Sequence, residues 1–206
     1  MSKTEHPLQA LASYLPDNSF EQVAYFLQHY KVHLTITRQR QSVLGDYRNA
    51  VNGKNHRISV NGNLNKYAFL ITLLHELAHL LAFEIHGNRI QAHGKEWKHL
   101  YSTLLKDFVN NKIFPADIEF ALNESIKNPA ASSCAEEGLM RVLRKYDERK
   151  KGIVLLEELP KGAFFSTNDG RIFKKGEQLR KRFRCVEKDT GLVYLISPLY
   201  EVKIMQ

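Results

Sequence analysis

The feature that most constrains this sequence is a long apolar run, from Ala68 to Phe83, interrupted only by Thr72, His75, Glu76 and His79. A helix that is apolar nearly all round is a buried one, and ionisable side chains inside it need partners. At helical pitch His75 and His79 lie one turn apart on the same face, so both imidazoles can bind one metal ion. Glu76 lies about 100° around the helix from His75, which places it beside the metal as a base.

The two histidines and the glutamate have the H-E-x-x-H spacing of zinc peptidases. The alternative is a chance match in a buried helix. The apolar surroundings argue against chance, because three buried ionisable groups need partners and a metal ion supplies them. The motif therefore predicts one Zn²⁺ bound by His75 and His79, with Glu76 as the catalytic residue.

A catalytic zinc needs a third protein ligand and an open fourth position. His86 lies two helical turns beyond His79, about 10.5 Å along the axis, so it cannot share a metal that His75 and His79 already hold. Glu84 is on the same helix but at the wrong angle. The third ligand must therefore come from beyond the helix.

His93 is the favoured third ligand. It follows the Gly87 turn and a six-residue loop, which is long enough for the chain to fold back over the metal. Glu96 is the next candidate, and His99 in the same predicted helix also stays open.

The first 150 residues contain both helical and strand patterns, which predicts an α+β domain over residues 1–150. Asn63 or Asn65 can cap the long helix, and Gly87-Asn88 is a stop signal for its end near His86. Pro129 to Ser133 is a predicted loop or linker. The other predicted elements are helices at 7–14, 19–30, 94–109, from 115 and 135–149, and strands at 33–40, 44–51 and 57–60.

After Gly152 the pattern changes to period two, with short apolar strands separated by turn signals such as Asn168-Asp169-Gly170. This predicts a small antiparallel β module over residues 151–206, with the boundary near Lys150. The predicted strands are 153–156, 163–165, 171–173, 182–186 and 193–196.

Composition and targeting signals favour a soluble protein of the cytoplasm, with no membrane partner. Residues Met1 to Pro7 include no apolar signal segment, and no stretch reaches transmembrane length without a charge or a histidine. Cys134 and Cys185 are the only cysteines, which excludes a disulfide framework and a four-cysteine zinc site.

The net charge of +8 lies mostly in the last third of the chain. From Arg141 to Asp189 there are fifteen Lys and Arg against eight Asp and Glu. Such an excess attracts polyanions, and DNA bound through the C-terminal module is one interpretation. The other is a surface that only keeps the protein soluble. Seven cationic residues cluster most densely: Arg171, Lys174, Lys175, Arg180, Lys181, Arg182 and Arg184.

Two motifs resemble the SprT-like (Spartan-type) zinc metalloproteases: His75-Glu76-Leu77-Ala78-His79, and His93-Gly94-Lys95-Glu96-Trp97-Lys98 after a short loop. The segments 44–48 and 57–61 also look like that family's lead-in to its active-site helix, so the resemblance covers roughly Phe20 to Lys106. It implies a zincin-like metalloprotease domain with zinc on His75, His79 and His93. It also implies that Glu76 is catalytic, that substrates are proteins or peptides, including those bound to DNA, and that an edge strand through Ile58 pairs with an extended peptide.

The sequence departs from this family in two places. Many relatives end in a zinc ribbon with paired cysteines, whereas this C-terminal module has Cys185 alone; it is predicted to keep ribbon-like hairpins around an apolar core. The segment Phe114 to Arg149 is also longer than expected. Two other interpretations therefore stay open: a nucleic-acid-binding or scaffold protein whose zinc site is largely non-catalytic, and a zinc hydrolase acting on a non-peptide amide.

Overall fold

The computed structural model describes residues 8–40, 42–51, 53–134, 136–148 and 152–205. The chain forms two compact units, Met1–Asp147 and Glu148–Gln206. The predicted boundary at Lys150 and the N-terminal stretch Met1 to Pro7 lie outside the described residues. The first unit combines helices with a small sheet and the second is built mainly of strands, so the fold mixes α and β structure as predicted.

The first unit has three strands and five α-helices in its described part, with short 3₁₀ segments at Gln9–Tyr14, Gly87–Arg89 and Arg144–Tyr146. In chain order the elements are α1 (Phe20–His29), β1 (His33–Thr37), β2 (Gly45–Arg48), β3 (Arg57–Asn61), α2 (Lys66–His86), α3 (Lys95–Asn110), α4 (Ala116–Lys127) and α5 (Glu137–Leu143).

The sheet of this unit has the order β1-β3-β2, with β3 parallel to β1 and antiparallel to β2. Ile58 therefore pairs with Leu34 on one side and with Tyr47 on the other. The prediction that the strand through Ile58 is an edge strand is wrong, because its backbone groups are used by both neighbours. The edge strands are β1 and β2.

Helix α2 is the central element and begins and ends at the predicted signals. The Asn65 side chain accepts a hydrogen bond from the Ala68 N–H at 2.9 Å, and Gly87 ends the helix with φ +63°. By length and composition α2 is apolar enough to cross a membrane, but 72% of its most apolar window is buried inside the protein. This burial is typical of the core helix of a soluble protein.

Helices α1 and α3 contribute one apolar face each to the same core. Trp97, Leu104 and Phe108 of α3 are buried. Ser19 directly precedes α1, but its side chain caps no helix N–H; the hydroxyl donates to the Pro16 carbonyl at 2.7 Å. Ser19 bonds locally because a serine hydroxyl can bond nearby backbone groups in place of the helix terminus.

The long segment after Phe114 belongs to the same unit and packs on α2 and α3. The Ser102 hydroxyl of α3 donates to the Ile126 carbonyl of α4 at 2.7 Å. The Asn65 side-chain amide donates to the Leu143 carbonyl at 3.0 Å. The predicted helix over 135–149 is shorter than expected, with α5 followed by one 3₁₀ turn.

The second unit is a six-stranded antiparallel sheet of β4 (Ile153–Leu155), β5 (Phe164–Ser166), β6 (Ile172–Leu179), β7 (Arg182–Glu187), β8 (Val193–Ile196) and β9 (Glu201–Ile204). Its order is β4-β9-β5-β6-β7-β8. The sequence predicts the first five strands but not β9, which inserts between β4 and β5. The core contains Phe165, Phe173, Cys185 and Val202.

One of the seven clustered cations, Lys175, is not free to bind a polyanion, and a second, Arg171, is exposed but paired with a carboxylate. Lys175 is buried; its ammonium donates to the Leu159 carbonyl at 2.5 Å and lies 3.9 Å from the Phe183 ring centroid. Burial lowers the pKa of Lys175. Arg171 forms an ion pair with Asp169 at 2.8 Å.

Candidate metal centre

Three imidazoles converge at one point of the first unit. The Nε2 atom of His93 lies 2.9 Å from Nε2 of His79 and 3.2 Å from Nε2 of His75. Two nitrogens bound tetrahedrally at zinc–nitrogen distances of 2.0–2.1 Å are about 3.3 Å apart. The observed spacing therefore fits a small tetrahedral cation such as zinc, held from one side by three nitrogens.

The protonation state of the three imidazoles also suits a metal. The pKa of His75 is lowered to about 3, chiefly by burial and also by His79 and His93. The pKa of His79 is lowered to about 4, chiefly by burial and also by His93. Burial lowers the pKa of His93 as well. All three are therefore neutral near pH 7, and a neutral imidazole is the form that binds a metal.

His93 reaches the pair through the local backbone. It has φ +61°, the left-handed region, and Gly94 then forms the N-cap of α3. This turn directs the chain back over α2, as the sequence predicts. Among the described residues, the group of side chains that could hold a metal consists of His75, His79 and His93, and it does not include Glu96, His86 or His99.

An aromatic layer supports the three histidines. The Trp97 ring of α3 is fully buried, with its centroid 4.7 Å from that of His75, 5.1 Å from His79 and 4.6 Å from His93. The buried Nδ1 of His75 and Nε1 of Trp97 have no hydrogen-bond partner in the structure. The sequence marks Trp97 only as part of the motif that begins at His93, and its contact with all three histidines does not follow from that motif.

Glu76 of α2 lies very close to Gly45 of strand β2. A Cβ atom at Gly45 would lie 2.5 Å from the Glu76 Oε1 and 2.8 Å from Thr72 Cγ2. Only a glycine at this point of β2 leaves room for the carboxylate. The role of Gly45 could not be predicted from the sequence, because it depends on how the strand crosses the helix.

Glu76 is 5% exposed. The pKa of its carboxyl group is raised to about 8, chiefly by burial and also by Asp46, with Arg40 acting in the opposite direction. Glu76 is therefore protonated near neutral pH as long as no cation is beside it. A cation held by the histidines would favour the carboxylate, which is the form a general base needs.

The three histidines and Glu76 line a cavity of about 510 Å³. One wall is formed by residues 42–47, which lead into strand β2 and form most of it. A second wall is formed by Ala131, Ser132 and Ser133. A cavity of this size is typical of a site that binds a small ligand or a short part of a chain.

The second wall was predicted only as a loop or linker. Two contacts fix it on the domain. The Ala130 N–H donates to Glu136 at 3.2 Å, and the buried Cys134 thiol lies 3.9 Å from the Ala68 carbonyl of α2. A Pro-Ala-Ser composition carries no signal for this position, which is set by the packing of Cys134.

Three neutral nitrogens, an open cavity and an adjacent buried carboxyl group form an arrangement that can do hydrolytic chemistry with a metal. A structural zinc site is closed by four protein ligands. In the part of the chain that the structure describes, no fourth ligand joins the three histidines. The residues therefore fit a catalytic metal better than a structural one.

Comparison with known proteins agrees with the motifs. The family model described as the SprT-like family matches residues 8–117, just over half of the chain. The chain is 59% identical over 27 residues to Protein SprT from three strains of Pseudomonas putida. These matches cover 13% of this chain and only 16% of each relative. No solved structure matches the chain.

Proposed function

Because the chain belongs to the SprT-like family, we propose that it is a zinc-dependent metalloendopeptidase with a zincin-type active site. The observation that carries this proposal is the convergence of three neutral imidazoles beside a buried carboxyl group in an open cavity. His75, His79 and His93 hold the zinc, and Glu76 is the catalytic residue. The substrates are proteins or peptides, including proteins bound to DNA.

Each residue of the cavity has a separate role in peptide hydrolysis. When bound, zinc polarises a carbonyl group and lowers the pKa of water. Glu76 takes the proton of the attacking water and delivers it to the nitrogen of the leaving amine. Gly45 allows the Glu76 carboxylate to lie against strand β2. The Trp97 ring packs against the three imidazoles and limits their movement.

Strand β2 is the element on which an extended substrate can align. Within the described residues it pairs with β3 on one side only, and Gly45 to Tyr47 line the cavity. A peptide that pairs with a sheet edge gains backbone hydrogen bonds without a sequence requirement. Such alignment places its scissile bond over Glu76.

The test is a protease assay with metal analysis on the wild type and on Glu76→Gln. The variant should bind one zinc per chain, as the wild type does, because Glu76 is not a ligand. Its rate should fall by about 10²–10⁴-fold, the usual contribution of a positioned acid–base group. Cleavage by Glu76→Gln at the wild-type rate would refute the peptidase mechanism.

The same assay separates the two alternative functions. A scaffold protein with a retained metal site would bind zinc but cleave no unfolded protein substrate. An amidase acting on small molecules would hydrolyse simple amides yet leave peptides intact.

We also propose that nucleic acid binds the second unit, on the face of its sheet away from the core. There, register places Phe164, Lys174, Val186 and Val193 in one row across β5 to β8. Phe164 is 43% exposed, and the Lys174 ammonium lies 5.8 Å from its ring centroid. Exposed aromatic rings among cations are typical of surfaces that bind single strands. Fluorescence titration of the full chain with labelled DNA tests this.

A cytoplasmic location fits these proposals. Cys134 and Cys185 are both free and buried. Free cysteines are typical of proteins in a reducing compartment. Fractionation of cells that express the tagged full chain would test the location.

A further inference from the structure

A chain of contacts leads from the end of helix α2 back to the metal centre. Glu84 of α2 contacts His56, which precedes β3; His56 contacts Tyr47 of β2; and Tyr47 packs on His79 of α2. The distances are 3.2 Å from Glu84 Oε1 to His56 Nε2 and 3.0 Å from His56 Nδ1 to the Tyr47 hydroxyl.

Hydrogen-bond geometry fixes the proton positions in this chain. The Ala50 N–H, which can only donate, points at His56 Nδ1 at 3.2 Å. Nδ1 is therefore an acceptor, and the ring proton lies on Nε2, from which it is donated to Glu84. The Tyr47 hydroxyl must then donate to Nδ1. Glu84 thus selects the tautomer of His56 to which Tyr47 can donate.

The Tyr47 ring is placed between two imidazoles. It is nearly parallel to the His56 ring, at 5.9 Å and 19°, and to the His79 ring, at 6.4 Å and 5°. His79 also packs on Trp97. His79 is only half-buried, so neighbouring rings rather than a closed core limit its rotation.

We propose that Tyr47, held by His56 and Glu84, is a positioning residue that orients the His79 imidazole for metal binding. This inference rests on the proposed function, because it requires that His79 binds zinc. A ligand ring must direct its nitrogen lone pair at the metal, and the groups that fix ring orientation raise the affinity. Glu84 reaches His79 through two side chains, His56 and Tyr47.

The experiment measures the Zn²⁺ dissociation constant by competition with a chromophoric chelator, together with the thermal midpoint of the metal-free protein. Glu84→Ala removes the acceptor from His56 Nε2 and should weaken zinc binding roughly tenfold, the lower end of effects reported for groups that support ligands. Glu84→Gln keeps an acceptor oxygen and should restore wild-type affinity. Glu124→Ala, which changes an exposed glutamate of α4, is the matched control and should change nothing.

Tyr47→Phe keeps the ring and removes only the hydroxyl, so it tests the chain with the least risk to folding. It should also weaken zinc binding roughly tenfold. Because the two residues act through one chain, Tyr47→Phe combined with Glu84→Ala should be no weaker than the weaker single variant.

The outcomes separate this inference from the proposed function. Unchanged zinc affinity in both Glu84→Ala and Tyr47→Phe would overturn the inference and leave the metal site intact. Additive losses that follow the thermal midpoints would overturn it too, because they would show only general destabilisation. A wild-type protein that binds no zinc would overturn the proposed function, and the inference with it.

Discussion

At the scale of single residues, the arrangement of the three histidines and Glu76 depends on neighbouring residues that cannot themselves be metal ligands. Gly45 makes room for Glu76, and Trp97 supports the three imidazoles. That His75 and His79 lie side by side could be predicted, since spacing along a helix converts directly into a shared face. The residues around them could not, because their contacts arise from packing between elements that are distant in sequence.

Gly45→Ala is expected to disable Glu76 without removing the metal ligands. The new methyl group would lie 2.5 Å from Glu76 Oε1, so the carboxylate must move. A shift of about 1 Å in a reacting group can cost roughly 10²-fold in rate. Peptidase rates with zinc content measured in parallel would show this. The control, Gly138→Ala in α5, meets no atom within 4 Å and should keep full activity.

His93→Ala and Glu96→Ala identify the third ligand. The His93 Nε2 lies within hydrogen-bond distance of both other imidazoles, whereas Glu96 is not part of that group. We therefore expect the zinc content of purified His93→Ala to fall well below one per chain, and that of Glu96→Ala to stay near one. The reverse result would make Glu96 the ligand.

At the scale of elements, helices were predicted better than sheets. Both ends of α2 follow from local signals, the Asn65 cap and Gly87. The sheet order β1-β3-β2 does not follow, because strand pairing joins residues far apart in sequence. For the same reason β9 was missed: its partners β4 and β5 lie some forty residues earlier.

The loop at residues 131–133 is the element whose role most needs a test. It lines the cavity together with β2 and lies outside the region matched by the family model. Ser132→Trp should obstruct this wall and lower kcat/KM for a peptide substrate by roughly 10–100-fold, because a displaced substrate reacts poorly. Zinc content should not change. Asn123→Trp on the exposed side of α4 is the control; equal activity of the two variants would contradict a substrate-binding role for the loop.

At the scale of the whole molecule, each unit has its own core and its own chemistry. The first buries ionisable side chains around three histidines that could hold a metal ion, and the second carries cationic side chains on the exposed face of a sheet. The basic excess was visible in the sequence. Which cations are free was not, because the burial of Lys175 and the pairing of Arg171 depend on the fold.

Salt dependence of DNA binding is the sharpest test of the second unit. Besides Arg171, which is exposed but paired with Asp169, five cations of the cluster are exposed: Lys174, Arg180, Lys181, Arg182 and Arg184. If about four of them contact phosphates, log affinity should fall with log salt at a slope of about −3 to −4. Lys174→Glu should reduce the size of that slope by about one, whereas Lys106→Glu in α3, with the same charge change, should not. Equal slopes for Lys174→Glu and Lys106→Glu would show that the charge of this sheet face only keeps the protein soluble.

Phe164→Ala tests the stacking part of the same surface. It should weaken single-strand binding by about 1–3 kcal/mol, and the salt slope should stay unchanged because stacking releases no counterions.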